Sequence, residues 1–140
     1  MEERFDQFTE RAQEAAVRAY EILQRYGHTQ VDTEHLLLAL IEQPEGMIPE
    51  ILEHLGVEPQ AVRHRLDQEL QSRSRSQIYG GGAAQVYITP KLKRVMDQSK
   101  VEASKLKDDY ISTEHLFLAI ANEKNSAAAR VLAEFGLTRP

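Results

Sequence analysis

The sequence predicts an all-α domain built from two copies of one helical unit, and three observations support this prediction. The segment from Val31 to Leu40 is repeated, with conservative changes, from Ile111 to Ile120. The same offset of 80 residues also aligns Thr9 with Thr89 and Gly56 with Gly136, without a gap. Within each copy, apolar residues recur at spacings of three and four, which is the period of a helix. A repeat that keeps its spacing in this way is one structural unit used twice.

Length and composition limit the class of protein. A chain of 140 residues with 41% hydrophobic residues can form one compact domain, or two small halves that share a core. The absence of cysteine excludes disulfides and thiolate metal sites and makes a reducing cytoplasm the expected compartment. No apolar run approaches the length of a membrane span, and the segment from Met1 to Arg4 is not a signal peptide. The net charge of −5 argues against nucleic acid as a partner.

The first unit contains four predicted helices. Thr9 is a suitable N-cap for the first, which Gly27 ends in the left-handed conformation. Its predicted buried face consists of Ala12, Ala15, Ala16, Ala19, Ile22, Leu23 and Tyr26. Asp32 or Thr33 caps a second helix that is apolar on nearly all sides and therefore buried. A third helix carries Pro49 in its first turn and stops at Gly56.

The fourth helix of the first unit begins at Pro59. Its apolar stripe is Val62, Leu66 and Leu70, and its predicted solvated face is Arg63, Arg65, Asp67 and Glu69. Beyond it, the stretch from 71 to 86 loses all periodicity and contains an Arg/Ser run and three consecutive glycines. The Arg/Ser run fits an anionic docking strip or a solvated linker, and its composition favours the linker.

The second unit repeats the pattern, with Thr89 as N-cap and Pro90 at the first helical position. The predicted buried face of its first helix is Leu92, Val95, Met96, Ser99, Ala103 and Leu106. Ser112 or Thr113 caps the next helix, and Ser126 caps the last one, which runs from Ala127 to Phe135. Leu38 and Leu118, which occupy equivalent positions, are both expected at the centre of the core.

The expected organisation is one domain over residues 1–140, with a first repeat at about 8–70, a linker at about 71–86 and a second repeat at about 87–138. Residues 1–57 hold 4 Lys/Arg and 12 Asp/Glu, whereas residues 58–140 hold 13 and 10. This asymmetry favours two halves that attract each other and pack. Because the second repeat has no counterpart to the fourth helix, we expect the chain to be part of a longer one.

No catalytic or metal motif is evident in the sequence. A phosphate-binding Gly-rich loop and a nucleophile motif are both missing. Each Glu-His pair lacks a second His four residues on, so His35 and His115 are expected to pack between helices and to fix a loop by hydrogen bonds. His28, His54 and His64 share no spacing and are expected at the surface.

Glu34 and Glu114 each fall in the first turn of an apolar helix, where two interpretations are open. An acid stabilises a helix N-terminus by ~0.3–1 kcal/mol. It can also accept hydrogen bonds from the guanidinium or ammonium group of a partner peptide. Thr9 and Thr89 mark helix starts whose free N–H groups favour an anion. One carboxylate beside one such helix start suits a ligand that carries both charges.

Three features resemble the Clp N-terminal domain, which stands at the front of the AAA+ unfoldases ClpA, ClpB and ClpC. They are the run Phe8-Thr9-Glu10-Arg11-Ala12, the two Thr-Glu-His-Leu segments, and the glycine stops at Gly56 and Gly136. The resemblance implies two pseudo-symmetric four-helix repeats in one globule. It also implies a non-catalytic domain, monomeric on its own, that docks adaptors and unfolded or aggregated proteins for a hexameric motor. ATP and Mg²⁺ would belong to the motor, and this chain would need no cofactor. The alternative is a stand-alone regulatory protein that binds the Clp machinery.

In ClpC-type domains, a Thr at a helix start and the Glu of Thr-Glu-His form phosphoarginine pockets. The resemblance carries these roles to Thr9 with Glu34 and to Thr89 with Glu114. The ClpC type usually has Gly before Thr-Glu-His, whereas Asp32 and Ser112 stand here. Asp32 would repel a phosphate, which makes Thr9 with Glu34 the poorer expected pocket. The Lys-rich first helix of the second unit is closer to ClpB disaggregases, so the ClpB and ClpC subtypes both stay open.

The missing phosphate loop predicts that the isolated chain neither binds nor hydrolyses ATP. Isothermal calorimetry with Mg-ATP should show no heat of binding. Micromolar binding would contradict a purely docking domain.

Overall fold

The computed structural model describes residues 8–73 and 87–137, which form seven helices and two short strands and confirm the all-α prediction. The predicted linker lies outside the described residues except for 71–73, as does the end of the second repeat at 138. The elements in chain order are α1 (Glu10–Tyr26), β1 (Gln30–Val31), α2 (Thr33–Glu42), α3 (Met47–His54), α4 (Pro59–Gln71), β2 (Tyr87–Ile88), α5 (Pro90–Lys105), α6 (Thr113–Asn122) and α7 (Ala127–Glu134).

The helices begin where the capping residues predict. Thr9 Oγ1 accepts a hydrogen bond from Ala12 N at 3.1 Å, and Thr89 Oγ1 accepts one from Leu92 N at 3.1 Å. The N-caps of the remaining predicted starts are Asp32, Ser112 and Ser126. These side chains satisfy backbone donors that have no partner inside the helix. Gly27 has a φ of 69° and ends α1 in the left-handed conformation, as predicted.

The two repeats are joined by extended segments that pair crosswise. Strands β1 and β2 are parallel, with Val31 opposite Ile88, and a second parallel bridge joins Phe8 to Ile111. The two bridges are equivalent under the repeat: Ile111 is the counterpart of Val31, and Phe8 is the counterpart of Ile88. Each pairing therefore brings the start of one repeat's first helix beside the Thr-Glu-His segment of the other repeat.

The core is centred on α2, which packs against all six other helices of the described structure. Every residue from Thr33 to Ile41 is buried, as its continuous apolar sequence predicts. Its counterpart α6 is less enclosed, because Leu118 is partly exposed and the prediction of a fully buried Leu118 is wrong. In the first repeat α4 packs on α2, and the described residues of the second repeat contain no equivalent of α4.

Two further side-chain placements differ from the prediction. Leu106 is 58% exposed, because α5 ends at Lys105 and Leu106 already belongs to the turn that follows. Asp67 is not simply solvated, since its carboxylate accepts a hydrogen bond from the Tyr26 hydroxyl and ties α4 to the end of α1. This contact and burial raise the pKa of Tyr26 to about 12, with burial as the larger cause.

The solvated face of α4 also contributes to packing between the repeats. Arg65 donates from Nε to Glu134 Oε1 at 2.9 Å and from Nη2 to Glu134 Oε2 at 3.2 Å, which joins α4 to α7. A forked guanidinium–carboxylate pair of this kind fixes geometry more firmly than a single ion pair. The contact joins the two repeats, although Arg65 and Glu134 both belong to the basic stretch 58–140. No helix of the described residues is both long and apolar enough to cross a membrane.

Equivalent leucines in the two repeats should differ in their effect on stability. Leu38→Ala should lower the free energy of unfolding by ~2–5 kcal/mol, since Leu38 is 1% exposed and its removal leaves a cavity. Leu118→Ala should cost less than about 2 kcal/mol, because a partly exposed side chain buries less apolar surface. Urea denaturation of both variants measures the difference, and equal losses would contradict the lower enclosure of α6.

Candidate functional site

Each Thr-Glu-His segment forms the first turn of a helix. Asp32 caps α2 and Ser112 caps α6, which places Thr, Glu and His at the first, second and third helical positions. Asp32 N donates to His35 Nδ1 at 2.9 Å, and Ser112 N donates to His115 Nδ1 at 2.8 Å. His thus fills the role that Glu or Gln has in a common capping box. The prediction that these histidines fix a loop by hydrogen bonds is confirmed.

The second ring nitrogen, Nε2, has a different partner in each of the two histidines. His35 Nε2 lies 3.0 Å from His28 Nδ1, and His115 Nε2 lies 2.9 Å from Asp108 Oδ2. The prediction of a surface position for His28 is wrong: it is 9% exposed and stacks on Tyr26, whereas His54 and His64 are exposed as predicted. His28 follows the left-handed Gly27, and its N–H returns to Leu23 O at 3.0 Å, which turns the side chain inward.

The environment of His35 favours its neutral form. Burial lowers the pKa of His35 to about 4, and the neighbouring His28 and Arg73 act in the same direction. Because Asp32 N can only donate, His35 Nδ1 must be an unprotonated acceptor. Protonation would remove this acceptor and break the capping box. The neutral ring is therefore part of the folded structure of the site.

We call the cluster of Asp32, Glu34, Arg73 and Thr89, whose side chains contact one another, the first pocket. Thr89 Oγ1 donates to Asp32 Oδ1 at 2.8 Å. Arg73 Nη2 donates to Asp32 Oδ2 at 3.2 Å and also to Glu34 Oε2. Thr33 Oγ1 completes the contacts of Glu34 with a hydrogen bond of 3.0 Å to Oε1. Residues from both repeats and from the turn after α4 thus converge on two carboxylates.

The two carboxylates of the first pocket differ in their electrostatics. The Glu34 side chain is fully buried, which raises the pKa of its carboxyl, while the Arg73 charge opposes this rise. Burial of Asp32 acts in the same sense, but hydrogen bonds from Thr33 N and Thr89 Oγ1, together with the Arg73 charge, outweigh it and lower the pKa of Asp32. Glu34 is therefore an internal, paired acid in the first turn of α2.

We call the equivalent residues Thr9, Ser112 and Glu114 the second pocket, because each lies 80 residues from its counterpart Thr89, Asp32 or Glu34. Thr9 N donates to Ile111 O at 2.9 Å, which holds the start of α1 against the residue that precedes Ser112. Glu114 is partly exposed, and it has no hydrogen-bond or ion-pair partner among residues 8–73 and 87–137. Glu114 thus lies three residues beyond Ile111, whose carbonyl contacts the start of α1 from the other repeat.

The structure brings the four predicted site residues together in crossed pairs. The sequence grouped Thr9 with Glu34 and Thr89 with Glu114, within each repeat. In the structure Thr89 contacts the Asp32 cap beside Glu34, and Thr9 lies against the segment that carries Glu114. These contacts run between the repeats because the parallel pairing exchanges the extended segments between them.

Arg73 is the site residue that sequence reasoning missed. It falls in the Arg/Ser run that was assigned to a solvated linker, yet its side chain is only 30% exposed and contacts two carboxylates. Its partners are 39 and 41 residues away, so no local pattern could indicate the contact. Within the described ranges, no group of three or more histidine, aspartate or glutamate side chains is placed to hold a metal ion.

Comparison with known proteins gives a consistent result. A family model described as the Clp repeat (R) N-terminal domain matches residues 7–135. The chaperone protein ClpB of Nitratidesulfovibrio vulgaris is 36% identical over 133 residues, which cover 94% of this chain and 15% of that protein. The negative regulator of genetic competence ClpC/MecB of Bacillus subtilis is 34% identical over 135 residues, which cover 96% of this chain and 16% of that protein. This chain therefore spans about one sixth of the length of these relatives.

The fold is shared with solved structures at lower sequence identity. The N-terminal domain of Hsp104 from Candida albicans superposes with a TM-score of 0.79 at 17% identity, covering 94% of this chain and 83% of that one. At this low identity, the similarity establishes the fold alone. The chemistry of the pockets has to be argued from the residues of this chain.

The neutral, buried His35 should make stability fall in acid. Its folded pKa of about 4 lies below the ordinary 6.5, so between these values the unfolded chain binds a proton that the folded chain does not. Stability should fall by about 1.4 kcal/mol per pH unit in this window, or about 2 kcal/mol from pH 6.5 to pH 5. The variant His35→Gln keeps a capping-box acceptor and should lose this part of the slope. Urea denaturation at both pH values measures it, and parallel slopes would contradict the assignment.

Proposed function

Because the chain belongs to the Clp repeat N-terminal domain family, we propose that it docks protein partners for an AAA+ motor elsewhere in its parent protein. The partners are unfolded or aggregated proteins and adaptors, and the compartment is the cytoplasm. The relatives that support this proposal are named as a ClpB chaperone and as a ClpC/MecB regulator. The domain itself contributes binding surfaces and leaves ATP hydrolysis to a hexameric motor.

The specific ligand that we propose is a phosphoarginine side chain, bound in the second pocket. The observation that carries this proposal is the partly exposed Glu114 carboxylate, which has no partner among the described residues and lies near the α1 start at Thr9. A carboxylate accepts two parallel hydrogen bonds from a guanidinium group. Free N–H groups at a helix start favour a phosphate. Phosphoarginine carries both groups on one side chain.

The affinity of such a pocket is modest. Both the ligand's charges and the Glu114 carboxylate lose water on binding, and this loss offsets much of their attraction. We therefore expect a dissociation constant on the order of micromolar to millimolar for the free amino acid. A docking domain benefits from this weakness, because several copies in an oligomeric parent add their contacts and still release each segment to the motor.

Removing the Glu114 carboxylate should weaken binding of phosphoarginine with little effect on folding. Glu114→Ala should cost at least ~1.5 kcal/mol of binding free energy, the lower end for a hydrogen bond to a charged group. The change in unfolding free energy should stay below ~1 kcal/mol, as for an acid at a helix start. NMR titration of amide shifts with free phosphoarginine measures the binding.

Glu21→Ala is the matched control, since Glu21 is an exposed acid of α1 and its loss changes the net charge equally. It should bind as the wild type does. Phosphoarginine binding would be ruled out if the wild type showed no shifts at millimolar ligand. Equal affinities for Glu114→Ala and the wild type would leave Glu114 as a helix-start acid only.

A further inference from the structure

We infer that the first pocket is filled by the chain's own side chains, so that the domain offers one open pocket and one that is closed from within. Arg73 takes the place of a ligand's guanidinium on Glu34, and Asp32 takes the place of a ligand's anion at the start of α5. The inference rests on the proposed function in that it assigns the two pockets different access to the same class of ligand.

Arg73 occupies the place of a ligand's guanidinium group in the first pocket. Its guanidinium donates to both Glu34 and Asp32, which is the contact that a ligand guanidinium would make. Its backbone is held at the end of α4, where Arg73 N donates to Leu70 O at 3.3 Å. The side chain therefore extends from an ordered turn into the pocket, and 70% of its surface is covered there.

Asp32 lies where the phosphate group of an incoming ligand would bind. Its carboxylate accepts from Thr89 Oγ1 at 2.8 Å, and Thr89 is the N-cap of α5. A second hydrogen bond of 2.7 Å comes from Thr33 N, and only 13% of the side chain is exposed. The negative charge that a helix start attracts is thus already present. The equivalent residue of the second pocket is the neutral Ser112.

Together these residues reproduce both charges of the proposed ligand inside the protein. An external phosphoarginine would have to displace Arg73 from a fully buried carboxylate and place its phosphate against Asp32. Because Arg73 is attached to the same chain, its local concentration exceeds that of any free ligand. The negative charge of Asp32 also repels the phosphate group of the ligand, which further weakens binding at the first pocket. The second pocket has Ser112 in place of Asp32, and Glu114 has no cation from the described residues.

A first experiment tests whether Arg73 occupies the pocket, and it needs no ligand. A double-mutant cycle with Glu34→Gln, Arg73→Gln and the double variant gives their coupling in the unfolding equilibrium constant. We expect a coupling of about tenfold or more, as for a buried ion pair from which one partner is removed. A coupling under about twofold would overturn the inference, because Arg73 would then not hold Glu34.

A second experiment opens the first pocket. The double variant Asp32→Ser, Arg73→Gln gives it the neutral cap and the free carboxylate of the second pocket. Titration with free phosphoarginine should then shift the amides of Glu34 and Leu92 in addition to those near Glu114, whereas the wild type should shift only the latter. A double variant that keeps a folded amide spectrum and shows no new shifts would overturn the inference.

The reciprocal change closes the second pocket and does not depend on the stability of the first. Ser112→Asp places an acid where Asp32 stands in the first repeat, and an Asp is also a good N-cap. Phosphoarginine binding at Glu114 should weaken at least about tenfold, and unchanged binding would overturn the role given to Asp32. If the wild type binds no phosphoarginine at all, the proposed ligand fails, and the double-mutant cycle still decides whether Arg73 fills the first pocket.

Discussion

The crossed pairing of extended segments between the two repeats is the constraint on which the site depends. Thr89 N donates to Val31 O at 3.1 Å, and Thr9 N donates to Ile111 O at 2.9 Å. These backbone contacts fix where each repeat's first helix starts relative to the other repeat's Thr-Glu-His segment. Neither pocket could form within a single repeat, since each takes its helix start from one repeat and its carboxylate from the other. Both repeats are therefore needed to assemble either group of residues.

The repeated Thr-Glu-His motif has one residue with the same contact in both repeats and one whose environment differs between them. The His is an acceptor for the N-cap N–H, and this role is the same in both repeats. The Glu has the same sequence neighbours in both repeats but not the same environment. Glu34 is enclosed and paired with Arg73, whereas Glu114 remains partly exposed. The same Thr-Glu-His sequence therefore gives two different environments for its Glu, and the tertiary structure determines which one.

Sequence alone predicts the helices of this fold well and the pockets only in part. Caps such as Thr9 and Ser126 and the stop at Gly27 are local signals, and each is confirmed. The exchange of segments between repeats has no local signal, so the contacts of Thr9 and Thr89 with the other repeat could not be predicted. Leu38 and Leu118 illustrate the same limit, because they occupy equivalent positions in the sequence but are buried to different extents.

The difference in burial explains why Glu34 is paired with an arginine of the same chain and the equivalent Glu114 is not paired with any described residue. An ionised carboxylate without a partner is costly in a dry interior, so the fully buried Glu34 requires a cation within the folded chain. Arg73 supplies that charge, and its loss would leave Glu34 either protonated or unpaired. Glu114 is partly exposed and keeps contact with water. It can exchange that water for the guanidinium group of a ligand, which the enclosed Glu34 cannot do while Arg73 is in place. A nearly symmetric scaffold thereby places one carboxylate in the interior and the other at the surface.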